Sequence, residues 1–215
     1  TKGFSLGAVD YITKPFEIIQ VSPDELTLKA GKKMANILKL SNSEYHHIID
    51  PHKGKPYALK LALKRAKGDI IILTDGDTFF GENAVAELIK PFENEKIGGV
   101  SGKPISQDSR NNIFGYWGHL LSESGDHRRK NTMQEVMNSG YYVSTENFYP
   151  MSGYIMAIRS IDLKIPDNVL SDDAYISYSL RNAGYEIGYA PNAVCYVKYP
   201  INLKDYYKQK VRSLG

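Results

Sequence analysis

A single cysteine, Cys195, in 215 residues excludes an internal disulfide, a usage that fits a reducing compartment. No apolar run approaches the roughly 18–20 residues that a membrane-crossing helix requires, and no signal peptide opens the chain. Internal repeats and low-complexity tracts are absent. The histidines (His46, His47, His52, His119 and His127) lack the spacing of a metal site and read as surface or satisfied core residues. Charge of one sign is scarcely in excess: 27 Lys and Arg against 24 Asp and Glu leave a formal net charge of +3. That balance mildly favours an anionic partner such as a nucleotide or a membrane surface. Nucleic acid is the weakest such partner, because neither a dense basic stripe nor a recognised binding motif accompanies the charge.

What is present suits one sizeable domain with its own core, 42% hydrophobic and 24% charged. Apolar alternation and turn signals predict strands and helices in alternation, the pattern of an α/β domain. Strands are expected at Glu17–Val21, Tyr45–Ile49, Ile70–Thr74, Gly98–Lys103, Met151–Arg159 and Glu186–Ala190. Helices are expected over Leu26–Leu40, around the stripe Ala58, Leu59, Ala62, Leu63 and Ala66, around Val85, Leu88, Ile89 and Phe92, over Asp173–Ala183 and over Asn202–Leu214. Residues 106–150 read as the least regular region, with His127-Arg128-Arg129-Lys130 as a solvated basic loop able to meet phosphate or anionic lipid. Phe114, Tyr116 and Trp117 read as core packing or as an aromatic platform for an acceptor. A first residue other than Met and an end inside a polar helical stretch are expected of a fragment.

The strand Ile70–Thr74 ends abruptly in Asp75-Gly76-Asp77. Two carboxylates at i and i+2 repel each other unless a cation lies between them. In an open α/β sheet ligands bind beyond the carboxyl ends of strands. Hard oxygen donors there suit Mg2+ or Mn2+ completed by substrate phosphates, and Gly76 lets the backbone turn closely around a ligand. A capped turn before the next helix remains the alternative. A second pair, Asp172-Asp173, opens a helix, where an N-cap with favourable dipole interaction is the competing account. Near the end, Gln209 and Arg212 fall on one helical face at i, i+3, a position that also suits a solvated basic face.

In order along the chain, VSPDE, HKGKPYAL, AKGDIIILTDGDT, GGVSGKP, MSGYIMAIR, SDDA and QKVRS together resemble the family 2 glycosyltransferases of the GT-A fold, the group that includes cellulose and hyaluronan synthases. The resemblance covers residues 17–215 and implies an α/β GT-A domain with a mixed, mostly parallel sheet flanked by helices. The implied function is metal-dependent, inverting transfer of a sugar from a nucleotide-diphospho-sugar, a UDP-sugar above all, to a saccharide or lipid acceptor. By the same resemblance Asp24 contacts the base or ribose, Lys55 lines the diphosphate pocket, and Asp77 is the direct metal ligand with Asp75 nearer the donor sugar. Asp173 is the general base beside Asp172, with Ser152 and Gly153 lining the substrate site. Gln209 and Arg212 lie by the acceptor and the diphosphate. Ser213 stands where processive members carry Trp, so single transfer and polymer extension both stay open. The family also implies membrane helices after the last helix, placing the domain on the cytoplasmic face of a membrane in a full-length protein.

The start of the chain departs from that pattern. GAVDYITKPF within residues 1–16 resembles the end of a response-regulator receiver domain. It stands where the family has a further strand ending in a Pro-x-x-Asn-Glu-like loop. A receiver-like remnant over residues 1–16 and a transferase domain over 17–215, shortened at both ends, are therefore expected; the Asp10–Thr13 stretch is a candidate stand-in for the first strand. Two other classes compete: a nucleotidyltransferase, which would need a Gly- and Arg-rich phosphate loop that is not visible, and a folded but inactive fragment serving as a binding or signalling module.

Overall fold

The computed structural model describes residues 16–41 and 44–214, and the backbone alone for 212–214. The receiver-like stretch and the stand-in strand at Asp10–Thr13 therefore lie outside the described residues, except for Phe16. The described chain divides into two compact units, residues 16–71 with 160–169 and residues 72–159 with 170–214.

The smaller unit is a β-α-β arrangement followed by a helix. Strands β1 (Ile18–Ser22) and β2 (Tyr45–Ile49) pair in parallel, from Ile18 opposite Tyr45 to Ser22 opposite Ile49. Between them runs α1 (Glu25–Ile37), whose buried side chains are Leu28 and Ala35. Asp24 caps it, accepting hydrogen bonds from the backbone N–H of Leu26 (3.1 Å) and Thr27 (2.9 Å) and from the Thr27 hydroxyl. Helix α2 (Lys55–Arg65) starts from Gly54 at φ 91°, a left-handed value that a β-carbon disfavours, and carries a proline in its first turn. An ion pair from Lys60 to Asp167 ties α2 to the 160–169 segment.

The larger unit is built on a mixed sheet. Its strands are β3 (Ile70–Thr74, entering from the smaller unit), β4 (Phe79–Phe80), β5 (Ile97–Ser106), β6 (Gln134–Glu135), β7 (Tyr142–Val143), β8 (Ile155–Arg159) and β9 (Glu186–Val197). They lie in the order β3-β8-β5-β9-β7-β6, with β4 also on β9. The longest ladder, β5 on β9, is parallel, and β8 on β5 is antiparallel. Around the sheet stand α3 (Ala84–Ile89) with a 3-10 turn at Lys90–Glu93, α4 (Ile113–Thr132), α5 (Asp172–Asn182) and α6 (Leu203–Leu214). The core is aliphatic: Leu88, Ile97, Val100, Ile155, Ile158, Ile176, Leu180 and Ile187 are fully buried. No helix among the described residues is long and apolar enough to cross a membrane.

Three expectations change. Strand β9 runs past the predicted Glu186–Ala190 to Val197, because its turn signal, Pro191-Asn192, sits in a bulge. Ser101 pairs with Tyr189 but Lys103 with Val194, so the extra residues of β9 leave the ladder where proline's missing N–H costs nothing. Strand β8 begins at Ile155 rather than Met151, because the amides of Met151, Ser152 and Gly153 bond to side chains instead of a neighbouring strand. The region expected to be irregular contains α4, 20 residues long. Its buried positions include Gly115, Gly118, Ser122 and Arg129, a helical stripe of mainly small residues that carries no apolar periodicity. Close approach explains the glycines: a β-carbon on Gly115 would lie 2.0 Å from the Ser109 carbonyl oxygen, and one on Gly118 would lie 2.9 Å from Ser106 Oγ.

Candidate active site

The Asp75–Asp77 turn is anchored at both ends to the larger sheet. Before it, the Thr74 hydroxyl donates to the Tyr154 carbonyl (3.0 Å). After it, Phe79 and Phe80 pair with Tyr196 and Cys195 of β9, and Gly81 N–H donates to the Val194 carbonyl (2.9 Å). A bond from Thr78 N–H to the Asp75 carbonyl (3.3 Å) closes the turn. Asp77 is exposed and Asp75 half-buried. Burial, aided by the negative charge of Asp75, pushes the Cys195 thiol up to about 12. At Gly76 the φ is not positive and a β-carbon would meet nothing within 4 Å, so neither strain nor packing within the protein demands glycine there.

This turn offers a cation hard oxygen donors of the kind Mg2+ and Mn2+ prefer. The Thr78 hydroxyl is buried without a hydrogen-bond partner, an orphaned oxygen next to Asp77. Among the described residues no group of three or more His, Cys, Asp or Glu could hold a metal. The donor set therefore fits an ion held by one or two carboxylates and completed by ligand phosphates and water, and does not fit an all-protein cage.

Asp173 lies in the first turn of α5, next to the buried Asp172. Its Oδ2 accepts from Gly153 N–H (3.1 Å), and its Oδ1 from Ala174 N–H (2.8 Å) and the Ser171 hydroxyl (2.6 Å). Gly153 is again a close approach, since a β-carbon there would lie 3.3 Å from Asp173 Oδ2. The loop carrying it, Pro150–Tyr154, is fixed residue by residue. Met151 N–H donates to Ser177 Oγ (2.9 Å) and Ser152 N–H to Ser101 Oγ (2.9 Å). Ser177 in turn donates to the Asp173 carbonyl (2.6 Å). Tyr154 packs edge-on against Tyr199, with ring centroids 6.1 Å apart, and Gln209 of α6 donates to the Tyr154 hydroxyl (3.4 Å). One loop thus joins Asp173, the strand end bearing Asp75 and Asp77, and Gln209.

Asp24 and Lys55 belong to the smaller unit, on the N-terminal ends of α1 and α2. The Asp24 carboxylate is already engaged in capping, and those hydrogen bonds, led by the one from the Thr27 side chain, hold it below the usual carboxylate range. The side chain of Arg212 lies outside the described residues. Trp117 packs between Phe114 (5.8 Å) and Tyr206 of α6 (5.7 Å), whereas Tyr116 is half exposed.

The basic cluster is not a solvated loop. It lies in α4, and Arg129 is only 6% exposed. Its Nη2 donates to the Pro150 carbonyl (3.1 Å), and its guanidinium lies over the rings of Tyr149 (4.9 Å) and Tyr189 (5.5 Å). Reading the cluster as four consecutive charges missed this, because a helix points successive residues in different directions; the small-residue stripe ending at Arg129 was the available signal. Nearby, Asp126 accepts from Lys103 Nζ (2.7 Å), Lys130 Nζ (3.2 Å) and the Tyr189 hydroxyl (2.6 Å).

Comparison with known proteins identifies the family and the fold. The model of the family described as "Glycosyltransferase like family 2" matches residues 14–215. A poly-beta-1,6-N-acetyl-D-glucosamine synthase of Staphylococcus aureus is 26% identical over 171 residues, covering 76% of this chain and 39% of the synthase. The chain thus spans about two-fifths of the length of the curated relatives it matches. Among solved structures, a mannosyltransferase of Pyrobaculum calidifontis in complex with GDP-Man and Mn2+ aligns with a TM-score of 0.62 at 20% identity, covering 92% of this chain and 51% of its own. GalNAc-T7 with UDP, GalNAc and Mn2+ aligns with a TM-score of 0.58 at 18% identity, covering 86% of this chain and 38% of its own. These likenesses establish the GT-A type of fold.

Proposed function

The chain belongs to the glycosyltransferase-like family 2, and from that premise we propose that it transfers a sugar from a nucleotide-diphospho-sugar to an acceptor hydroxyl, with inversion at the anomeric carbon. The observation that carries the reading is the Pro150–Tyr154 loop, which bonds at Gly153 to Asp173 and at Tyr154 to the strand end preceding Asp75 and Asp77. That arrangement supports a donor at the Asp75–Asp77 turn and a base at Asp173. Two of the solved relatives hold Mn2+ with GDP-Man or UDP, which supports a nucleotide-sugar donor, a UDP-sugar in our reading, and a divalent ion.

Asp77 would hold the Mg2+ or Mn2+ directly, with Asp75 closer to the donor sugar. Bound there, the ion would neutralise charge growing on the leaving diphosphate. Lys55 and Arg212 are assigned to the same diphosphate as positioned cations, and Asp24 to the base or ribose. Asp173 takes the proton from the acceptor hydroxyl as its oxygen attacks the anomeric carbon from the face opposite the departing phosphate. The sugar–phosphate bond breaks as the new glycosidic bond forms, and a single displacement inverts configuration. Ser152, Gly153 and Asp172 frame that carboxylate, and Gln209 lies on the acceptor side. The acceptor is a saccharide or a lipid. The family match, beginning at residue 14, supports a boundary near Phe16 between the receiver-like stretch and the transferase domain.

The test is titration of UDP and other nucleoside diphosphates, with and without Mn2+, into the wild type and Asp77→Ala. Mn2+-dependent binding by the wild type and its loss in Asp77→Ala are expected. A wild type that binds no nucleoside diphosphate, or a variant that keeps the metal dependence, refutes the reading.

A further inference from the structure

Among the described lysines and arginines, Arg129 alone is buried. Its guanidinium is also incompletely partnered: Nε has no hydrogen-bond partner. Burial opposes its charge and holds the guanidinium below its ordinary value. A buried cation is costly unless it is compensated. If packing α4 against the sheet were its sole purpose, a neutral side chain of similar volume would serve at least as well. The compensation here is local and directional: two tyrosine faces orient the plane of the guanidinium, and Tyr189 is itself fixed through its hydroxyl to Asp126. The oriented Nη2 meets the carbonyl of Pro150, the first residue of the loop whose Gly153 N–H donates to Asp173.

We infer that Arg129 is a positioning residue that holds the Pro150–Tyr154 loop, and through Gly153 N–H sets the Asp173 carboxylate. The catalytic consequence rests on the transferase reading; the mechanical one does not. Each of Met151, Ser152 and Gly153 has its amide tied to a different side chain, and a shift at Pro150 displaces all three donors together. A displacement of about 1 Å at a reacting group can cost around a hundredfold in rate, so where Gly153 N–H stands relative to Asp173 matters.

The experiment compares wild type, Arg129→Met and Arg129→Lys by amide hydrogen exchange and by steady-state transfer, each normalised to the folded fraction. In Arg129→Met the amides of Met151, Ser152 and Gly153 are expected to exchange at least ~tenfold faster, with core amides such as Leu180 less affected. The kcat is expected to fall ~tenfold or more while the donor KM stays within about twofold, the pattern of an interaction that aligns the reacting groups without binding the donor. Arg129→Lys keeps the charge but lacks the planar fork that the two tyrosine faces orient, and should recover only a small part of either signal. Unchanged loop exchange in Arg129→Met overturns the inference, as does faster exchange with undiminished kcat, or a lysine variant that restores both signals in full. A uniform rise in exchange across loop and core also overturns it, because that is what simple destabilisation produces. A wild type that transfers no sugar refutes the transferase reading instead, and the exchange comparison then decides the Arg129–loop linkage by itself.

Discussion

Asp173→Asn separates binding from chemistry, because the substitution preserves volume while removing charge and basicity. Asp173 Oδ1 accepts from Ser171 Oγ and Ala174 N–H, and an asparagine oxygen can keep both bonds. The Asn Nδ2 then faces the Gly153 N–H, which now donates to Oδ2, and two donors oppose each other. The lost charge-assisted bond and the unsatisfied amide cost about 1–3 kcal/mol, and the lost charge at the α5 N-terminus adds about 0.3–1 kcal/mol. The variant should therefore melt several degrees lower yet remain folded. Losing a general base typically removes about 10²–10⁴ in rate, equivalent to roughly 3–5.5 kcal/mol in the barrier. The Asp75–Asp77 turn keeps its anchors to β9, at Phe79, Phe80 and Gly81, none of which involves Asp173, so Mn2+-dependent UDP binding should be retained. The assay pairs calorimetric UDP titration with transfer measured at saturating donor, corrected for the folded fraction. A kcat within tenfold of wild type, or a loss of UDP affinity matching the loss of rate, refutes the role assigned to Asp173.

Two further outcomes are expected. Burial alone would raise the Asp126 carboxyl, but hydrogen bonds from Lys103, Tyr189 and Lys130 outweigh it and hold it below its ordinary value. With the folded value below the unfolded one, the stabilisation is present above about pH 4 and is lost as pH falls through the folded value. Asp126→Asn should therefore lower Tm at pH 7, by a margin that narrows below about pH 4; a margin independent of pH refutes the account. At Gly76 a β-carbon meets nothing and φ is not positive, so Gly76→Ala should leave Tm unchanged or slightly raised, by up to about 1 kcal/mol of stability. The same variant should bind UDP with Mn2+ more weakly, since the space beside Gly76 is assigned to the ligand; undiminished affinity argues against that assignment.

The elements legible in the sequence are those whose cause is local. Ile70–Thr74 is a strand because its aliphatic run has no helical period and ends at a turn. The Ser22-Pro23-Asp24 signal stops β1, and Asp24 then caps α1. The alternating strands and helices, and the motifs in family order, were sufficient to anticipate the α/β fold. Helix α4 was not legible, because its inward face is made largely of glycine and serine, chosen for how closely Ser106, Ser109 and Tyr199 approach. The length of β9 was hidden for a similar reason: Pro191 reads as a strand end until β5 supplies a ladder with a bulge to hold it.

The same division runs through the candidate site. By itself the sequence determined that paired aspartates follow an aliphatic strand, that a second pair opens a helix, and that the small residues Ser152 and Gly153 stand within a segment read as the strand Met151–Arg159. These are consequences of neighbours along the chain. Only the tertiary structure decided that Gly153 N–H meets Asp173, that Thr74 meets the Tyr154 carbonyl, and that Arg129 is buried under two tyrosines with Nη2 on the Pro150 carbonyl. Each of those bonds joins residues from separate elements, and its energy depends on burial and direction that no local pattern encodes.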